Sequence, residues 1–265
     1  MSQQLESQIA RIADALERRF PPELQADLYG FPAYRWSLRG LEAVERLRAL
    51  PMSAFAAMDR QKELLHGNSQ RFAEGRPAHD ALLWGARGMG KSALCRSAAA
   101  EAGLAVVQVE PERIGDLEVL LSQLAKAGDR RFIVLIDDFG VDATVSVHRL
   151  RSLLDGSIEA RAANALIYVT SNRRHLVPRA AGSGAADVHE RDAQHDELAL
   201  AERFGLSIGF HEASEADYLA ICHSLAAARG VGPVEKADAL AFAHMRGARS
   251  GRIAAHYVTD LAGRD

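Results

Sequence analysis

The chain has 265 residues, of which 48% are hydrophobic and 25% are charged, values typical of a soluble globular protein. The length fits one large domain, or a large domain with a small one. The formal net charge of -3 gives no general attraction to nucleic acid or to an anionic membrane. Neither Cys95 nor Cys222 belongs to a CxxC pair, so we expect buried thiols in a reducing compartment rather than a zinc site or disulfide framework.

The first twenty residues lack the unbroken apolar run of a secretory signal. Their apolar residues recur at helical spacing, which predicts an amphipathic helix whose mixed-charge polar face favours packing or interaction over membrane anchoring. We expect residues 1–50 to form a helical N-terminal segment, apart from turn-rich stretches around 20–22 and 30–32. The longest apolar runs elsewhere are far too short for a membrane span, so we expect a cytoplasmic protein with no membrane partner.

After residue 50, helical and strand patterns alternate along the chain, which implies a parallel sheet with flanking helices. Helices are expected at 56–75, 91–102, 117–127 and 147–160, and strands at 81–84, 105–109, 132–136 and 165–170. Residues 180–197 show no periodicity and predict an exposed loop. Beyond 210 the pattern predicts helices over 214–229 and within 235–263. We therefore expect an α/β domain over 51–210 followed by a helical lid over 211–265.

A glycine-rich segment follows the predicted strand 81–84 and precedes a predicted helix. It fits the phosphate-loop pattern GxxxxGK[ST] and consists of Gly85, Ala86, Arg87, Gly88, Met89, Gly90, Lys91 and Ser92. Such glycines let the backbone turn tightly and aim N–H groups at phosphate oxygens, and the following helix adds its positive end. Lys91 would reach the β- and γ-phosphates and Ser92 would ligate Mg²⁺. No Asn-Lys-x-Asp guanine-reading motif occurs, so ATP is favoured over GTP.

Two carboxylates, Asp137 and Asp138, end the apolar run 132–136. An apolar run of this kind is typical of a parallel strand buried on both faces, and ligands of open α/β sheets bind at the carboxyl ends of such strands. We predict that Asp137 helps to hold Mg²⁺, through water, and that Asp138 polarises the attacking water. The alternative interpretation is a turn at a strand end, where aspartate is common.

Two other activities find little support in the sequence. His189, Glu190 and His195 do not fit HExxH, because the second histidine comes too late to share a helical face, so a metalloprotease is not indicated. Arginines near the C-terminus could touch the phosphates of a nucleic acid. Residues 211–265 nevertheless carry six Lys/Arg against seven Asp/Glu, so charge does not support a nucleic-acid partner.

Several longer segments are specific beyond the generic phosphate loop. They are 34–36 (YRW), 59–63 (DRQKE), 75–78 (GRPA), 82–88 (LLWGARG), 90–92 (GKS), 153–161 (LLDGSIEAR), 166–176 (LIYVTSNRRHL), 203–206 (RFGL) and 249–252 (RSGR). With these segments the chain resembles the DUF815 family of bacterial AAA+ P-loop ATPases over about residues 34–262. It departs from the family pattern at 139–147 and at 180–197.

The resemblance implies roles for three further side chains. Asn172 matches sensor 1, which orients the attacking water, and Arg203 lies where AAA+ proteins carry an arginine finger, with Arg173 and Arg174 as rivals. Arg252 matches sensor 2, with Arg249 as the fallback. An independent observation supports Arg252. Because Ser250 is a good N-cap, Arg252 falls in the first turn of a helix, where a nearby phosphate would relieve its opposition to the helix dipole.

The expected activity is hydrolysis of Mg-ATP to ADP and phosphate, coupled to remodelling or loading of a protein client that the sequence does not identify. An arginine finger acting on a neighbouring subunit implies a homo-oligomer. Two alternatives stay open: a nucleotide-gated adaptor or loader with little intrinsic hydrolysis, and a small-molecule kinase that uses the same loop. No motif for a second substrate pocket supports the kinase.

Overall fold

One mixed β-sheet organises the residues that the computed structural model describes, which are 24–140, 150–154, 162–172 and 201–264. Its strands are β1 Leu24–Gln25, β2 Ala33–Ser37, β3 Gly40–Val44, β4 Ala81–Gly85, β5 Ala105–Val109, β6 Phe132–Ile136, β7 Ala165–Ser171 and β8 Leu206–Phe210. The helices are α1 Asp59–Ala73, α2 Lys91–Glu101, α3 Leu117–Ala125, α4 Glu215–Arg229, α5 Lys236–Met245 and α6 Gly251–Ala262. Residues 150–154 are also helical, and Met52–Ala54 and Pro111–Asp116 form 3-10 helices.

The strand order across the sheet is β1-β3-β2-β5-β6-β7-β4-β8. Strands β5, β6, β7, β4 and β8 are parallel to their neighbours, and β2 joins them in parallel beside β5. The hairpin formed by β2 and β3 supplies an antiparallel pair. Since β4, β6 and β7 are adjacent and parallel, their carboxyl ends meet at one edge of the sheet, where loops of such folds carry ligand sites.

Helices cover both faces of the sheet. Helices α1, α2, α4, α5 and α6 contribute to the apolar core on one face. Helix α3 and residues 150–154 contribute to the core on the other. All five side chains of β6 are buried, as expected for a parallel strand covered on both sides. Strands β5 and β6 match the predicted bounds, and the predicted parallel sheet with flanking helices and a helical lid is confirmed.

The helical prediction for residues 1–50 is wrong where the structure describes them. Residues 24–25, 33–37 and 40–44 are strands instead. In β2 the buried Tyr34 and Trp36 flank the exposed Arg35, and Arg113 stacks on the Trp36 ring at 4.1 Å from its centroid. Aromatic residues that pack on a pleated surface favour strand structure, and backbone pairing with β5 outweighs the local helical preference. The helix predicted at the very N-terminus lies outside the described residues.

Strand β8 was not predicted from the sequence, although Leu206, Ile208 and Phe210 alternate along it. Gly205 and Gly209 weaken the strand prediction, because glycine is disfavoured in strand interiors. At Gly209 a side chain would lie within 2.8 Å of the Trp84 ring, so the close packing of β8 on β4 requires glycine. Most of the helix predicted at 147–160 and the whole loop predicted at 180–197 lie outside the described residues. The domain limits at 50, 210 and 265 stay predictions.

Candidate functional site

The segment 85–92 forms a tight loop between β4 and α2, as predicted for a phosphate loop. Gly85, Gly88 and Gly90 all have positive φ angles, of 116°, 77° and 88°, which side-chain-bearing residues rarely adopt. A Cβ on Gly85 would lie 2.1 Å from the carbonyl oxygen of Phe210 on β8, so a side chain there is sterically excluded. The loop is therefore built against the neighbouring strand.

The ammonium of Lys91 uses all three of its N–H donors within the site. It donates to the carbonyl oxygens of Gly85 and Ala86, both at 2.9 Å, and to Asn172 Oδ1 at 2.8 Å. Lys91 is only 5% exposed, and burial lowers the pKa of its ammonium from the ordinary value. The carboxylates of Asp138 and Asp137 act in the opposite direction and favour the charged form.

The acidic pair lies at the carboxyl end of β6, next to the start of α2. Ser92 Oγ donates a short hydrogen bond to Asp137 Oδ1, which also accepts from Thr170 Oγ1 at 2.6 Å. Asn172 Nδ2 donates a short hydrogen bond to Asp138 Oδ1. Asn172 thus contacts Lys91 through its oxygen and Asp138 through its nitrogen, and it links the loop to the acidic pair.

Asp138 has a φ of 54°, in the left-handed region that is strained for most residues with side chains. Its N–H donates to Thr170 Oγ1 at 2.9 Å, and the next N–H, from Phe139, donates to the Thr170 carbonyl at 2.8 Å. Phe139 is buried, which anchors the turn in the core. Observed strain of this kind clusters at functional sites.

Helix α6 begins directly against the phosphate loop. Ser250 Oγ accepts from the Ile253 N–H and caps the helix, as predicted from the sequence, and the Arg252 N–H donates to the Gly88 carbonyl at 2.9 Å. A Cβ on Gly88 would lie 3.0 Å from Ser250 Oγ, so the two segments touch closely. The Arg252 side chain consequently lines the same cleft as Lys91, whereas Arg249 lines a separate cavity.

These groups surround a cleft of about 490 Å³ between the sheet edge and the lid helices. Six cationic side chains line it against the two carboxylates of the acidic pair, a surplus of four positive charges in a chain whose formal net charge is -3. They are Arg48, Arg87, Lys91, Arg96, Arg229 and Arg252. Such a concentration of one sign in a cleft favours a polyanionic ligand.

The apolar wall of the cleft was missed by the sequence reasoning. It is formed by Leu50, residues 54–56 and Met58 on one side and by Ile221 and Leu225 of α4 on the other. Ser224 on α4 donates to the Ser53 carbonyl at 2.8 Å and holds the two sides together. No local motif marks this wall, because its halves are more than 150 residues apart in the chain.

Arg203 does not line this cleft. It precedes β8, which pairs in parallel with β4 from Ala81 opposite Leu206 to Gly85 opposite Phe210. Arg203 is therefore at the amino end of the strands, separated from its own phosphate loop by a strand length of roughly 17 Å. The rival residues Arg173 and Arg174 lie outside the described residues.

The oxygen ligands of the site fit Mg²⁺. Mg²⁺ is bound by few protein oxygens, typically one or two carboxylates, together with waters and substrate phosphates. The Ser92 hydroxyl and the Asp137 carboxylate are in direct contact and provide such a set. Over the described ranges no group of three or more His, Cys, Asp or Glu side chains forms a metal-binding cluster. Binding of Mg²⁺ through few protein oxygens, waters and phosphates does not require such a cluster.

The parallel sheet, the phosphate loop after β4 and the helical lid define a P-loop protein with the AAA+ fold. The family model described as "Protein of unknown function (DUF815)" matches residues 30–265, and the chain belongs to that family. No curated protein matches the sequence significantly. None of the helices in the part of the chain described here combines the length and apolarity needed to cross a bilayer.

Solved structures of RuvB from Thermotoga maritima share this fold. An alanine-to-serine mutant of RuvB superposes with a TM-score of 0.57 at 21% identity and covers 80% of this chain. The RuvB Holliday junction branch migration motor gives a TM-score of 0.54 at 20% identity, also over 80% of this chain. The match spans 64% of the length of each of these RuvB chains.

Proposed function

We propose that this protein is an ATPase that binds Mg-ATP in the cleft and hydrolyses it to ADP and phosphate. The observation that carries the proposal is the convergence of three strand ends on one point. Lys91 after β4, the acidic pair after β6 and Asn172 after β7 are joined there by direct hydrogen bonds. Enzymes that catalyse phosphoryl transfer position the substrate and stabilise its charge with the same three elements: a phosphate loop, an acidic pair and a polar residue at a strand end.

Lys91 would bind the β- and γ-phosphates. All three of its donors already have protein acceptors, so a phosphate oxygen must replace one of them. Of the three acceptors of Lys91, the two backbone carbonyls belong to the same loop as the lysine, whereas Asn172 lies on a different element. We infer that phosphate replaces Asn172, which would then be available to orient the attacking water.

Asp138 is the proposed general base, since its carboxylate lines the cleft at the carboxyl end of β6. Ser92 and Asp137 would hold Mg²⁺, which neutralises the charge that develops on the phosphates. Arg252 would contact the γ-phosphate from the lid. The apolar wall around Met58 and Ile221 would take the base, and a wall without charged side chains favours a base bound by stacking and backbone contacts.

We further propose that hydrolysis is coupled to remodelling or loading of a macromolecular client by a homo-oligomer. Arg203 supports the oligomer, because its distance from its own cleft leaves the cleft of a neighbouring subunit as the place where it could act. The RuvB neighbour is a Holliday junction branch migration motor, which suggests DNA as one class of partner. The formal net charge of -3 favours a protein client instead.

The alternative is a nucleotide-gated adaptor with little intrinsic hydrolysis. One contact favours it: Asn172 engages the carboxylate of Asp138, and a carboxylate held in this way is less available as a base. Phosphate release from Mg-ATP by the purified protein, with no acceptor added, separates these functions. Steady turnover supports the ATPase, whereas tight binding with a single slow turnover supports the adaptor. Formation of ADP without release of inorganic phosphate, and only when an acceptor is added, would indicate a kinase that transfers the phosphoryl group to that acceptor, and would contradict the proposal.

A further inference from the structure

The hydroxyl of Thr170 contacts both residues of the acidic pair, through the carboxylate of Asp137 and the backbone nitrogen of Asp138. Thr170 is on β7 and is 1% exposed. Its Oγ1 contacts Asp137 Oδ1 at 2.6 Å and the Asp138 nitrogen at 2.9 Å. Because a backbone N–H can only donate, Thr170 Oγ1 accepts from Asp138, and its single proton is directed to Asp137. The hydrogen-bonding direction at this point is therefore unambiguous.

The carboxylate of Asp137 is held by hydrogen bonds from two different elements of the structure. Its Oδ1 accepts from Ser92 at the start of α2 and from Thr170 on β7. A carboxylate oxygen has about two lone-pair directions, so these donors fill Oδ1 and orient Oδ2. If Ser92 turned toward a cation, Thr170 would still hold Asp137 in place.

For Asp138, the consequence is a strained turn held on both sides. Thr170 Oγ1 accepts the N–H of Asp138, and the Thr170 carbonyl accepts the N–H of Phe139. Both oxygens of one residue thus stabilise the left-handed conformation at Asp138, whose φ is 54°. That conformation directs the Asp138 carboxylate to Asn172.

We propose that Thr170 is a positioning residue of this site, which sets the orientation of Asp137 toward the metal and the backbone turn of Asp138. The inference rests on the proposed Mg-ATP function and deepens it by assigning the group that holds the carboxylate of Asp137 and the backbone of Asp138. A purely structural role is the competing explanation. Strands β6 and β7 are already paired through their backbones from Phe132 opposite Ala165 to Ile136 opposite Val169. Thr170 itself pairs with Leu83 of β4, also through the backbone, so the sheet does not depend on its hydroxyl.

Three variants separate the two roles. Thr170→Val keeps the size and β-branched shape of the side chain but removes both hydrogen bonds, whereas Thr170→Ser keeps the hydroxyl and removes only the methyl group. Ser37→Ala is the matched control, because the buried Ser37 hydroxyl likewise donates to a carboxylate, Glu42 Oε1 at 2.6 Å, and accepts a backbone N–H, that of Arg39, but in the β2–β3 hairpin, whose residues do not line the cleft. The primary measurement is equilibrium binding of a fluorescent ADP analogue titrated with Mg²⁺, which requires no catalysis. Steady-state kcat and KM for ATP are the second measurement.

We expect Thr170→Val to raise the Mg²⁺ concentration at half-saturation by ~10- to 100-fold, the usual effect of removing a partner of a metal-binding side chain. Nucleotide affinity without Mg²⁺ should be unchanged, since Lys91 is intact, and kcat should fall more than KM changes. Thr170→Ser should restore most of the Mg²⁺ response, and Ser37→Ala should match the wild type. If Thr170→Val does not fold, Thr170→Ala removes the same oxygen without placing a methyl group beside a carboxylate, and the same shift is expected.

An unchanged Mg²⁺ half-saturation in Thr170→Val, with only a lower melting temperature, would overturn the inference and leave Thr170 as a structural residue. Failure of the proposed function gives a different result. In that case the wild type itself would bind no nucleotide, with or without Mg²⁺, and the role of Thr170 would be rejected together with the function.

Discussion

The ammonium of Lys91 and the side-chain amide of Asn172, 81 residues apart in the chain, are joined by a hydrogen bond of 2.8 Å. The bond forms because β4 and β7 are neighbours in the sheet, so the loop after one strand meets the residue after the other. Lys91, the proposed phosphate-binding lysine, is thereby connected to the proposed base, Asp138, through a single side chain. A substitution at Lys91, Asn172 or Asp138 should therefore alter the position of the other two side chains.

Lys91→Ala should abolish or strongly weaken Mg-ATP binding without unfolding the protein. The ammonium supplies a charge that no neighbouring backbone group can replace. Lys126→Ala, at an exposed lysine after α3, is the matched control and should bind as the wild type does. Binding is measured with a fluorescent ATP analogue and folding by circular dichroism. Near-normal affinity in a folded Lys91→Ala protein would contradict the assignment of the phosphate loop.

Asp138→Asn should keep ATP affinity and lower turnover by ~10²-fold or more, as expected for loss of a general base. The substitution is conservative for the backbone, because asparagine tolerates the left-handed conformation and its oxygen can still accept from Asn172. Phosphate release measures the effect. Turnover near the wild-type rate would place the base elsewhere. The same variant, held with ATP bound, is suited to capturing the client from cells.

Arg252→Ala should reduce the difference between the stabilisation given by ATP and that given by ADP. At 100 times the dissociation constant, a ligand stabilises the folded state by about 2.7 kcal/mol, which melting temperatures resolve. The Arg252 N–H bond to Gly88 is made by the backbone and survives in the alanine variant, so the lid still contacts the loop. Arg249→Ala is the control, since Arg249 lines a different cavity. An effect in Arg249→Ala alone would exchange the two roles.

Arg203 should act on the cleft of the neighbouring subunit. Arg203→Ala alone should bind ATP and lose ~10³-fold or more in turnover, the usual contribution of an arginine finger. Mixed with Lys91→Ala, which is also inactive, it should regain partial activity, because some interfaces pair an intact loop with an intact arginine. The control mixture of Lys91→Ala with Asp138→Asn, whose turnover is also expected to be low, should not recover, since both changes affect their own cleft. No recovery in the first mixture would exclude action between subunits.

As the pH is raised, ATP binding should begin to weaken at a lower pH than it would if Lys91 had the ordinary lysine pKa. Burial lowers the pKa of Lys91 below 10.5, and phosphate binds the charged form. Below the lowered pKa the lysine is already charged and affinity is independent of pH. Above it, binding must take up a proton, and the dissociation constant should rise by about tenfold per pH unit. Calorimetry in buffers of different ionisation heat measures the proton uptake. Affinity that stays constant up to the ordinary lysine pKa would contradict this prediction.

The sequence predicts those parts of the molecule whose patterns are local. The phosphate loop, the acidic pair and the buried strands β5 and β6 each depend on a few consecutive residues, and the structure brings the loop and the pair together. Strand β2 was missed because its local partner β3 makes only a two-stranded hairpin, and the strand that joins it to the rest of the sheet, β5, lies some 70 residues further along the chain. Thr170 gave no signal either, because a threonine near a strand end is ordinary until the adjacent strand places the Asp137 carboxylate and the Asp138 N–H beside it.

The position of β4 has a consequence for synthesis of the chain. Strand β4 pairs with β7 and β8. Ala81 can therefore form its pairs only after Tyr168 on one side and Leu206 on the other have been synthesised. The N–H of Ala86 likewise donates to the Phe210 carbonyl at 2.8 Å. A growing chain that has passed residue 160 already contains the whole GxxxxGKS segment, yet it has neither strand that flanks β4. Pairing over such sequence distances is slow and exposes apolar edges in the meantime. Nascent chains should therefore need protection from aggregation until β8 emerges, and nucleotide cannot supply that protection any earlier.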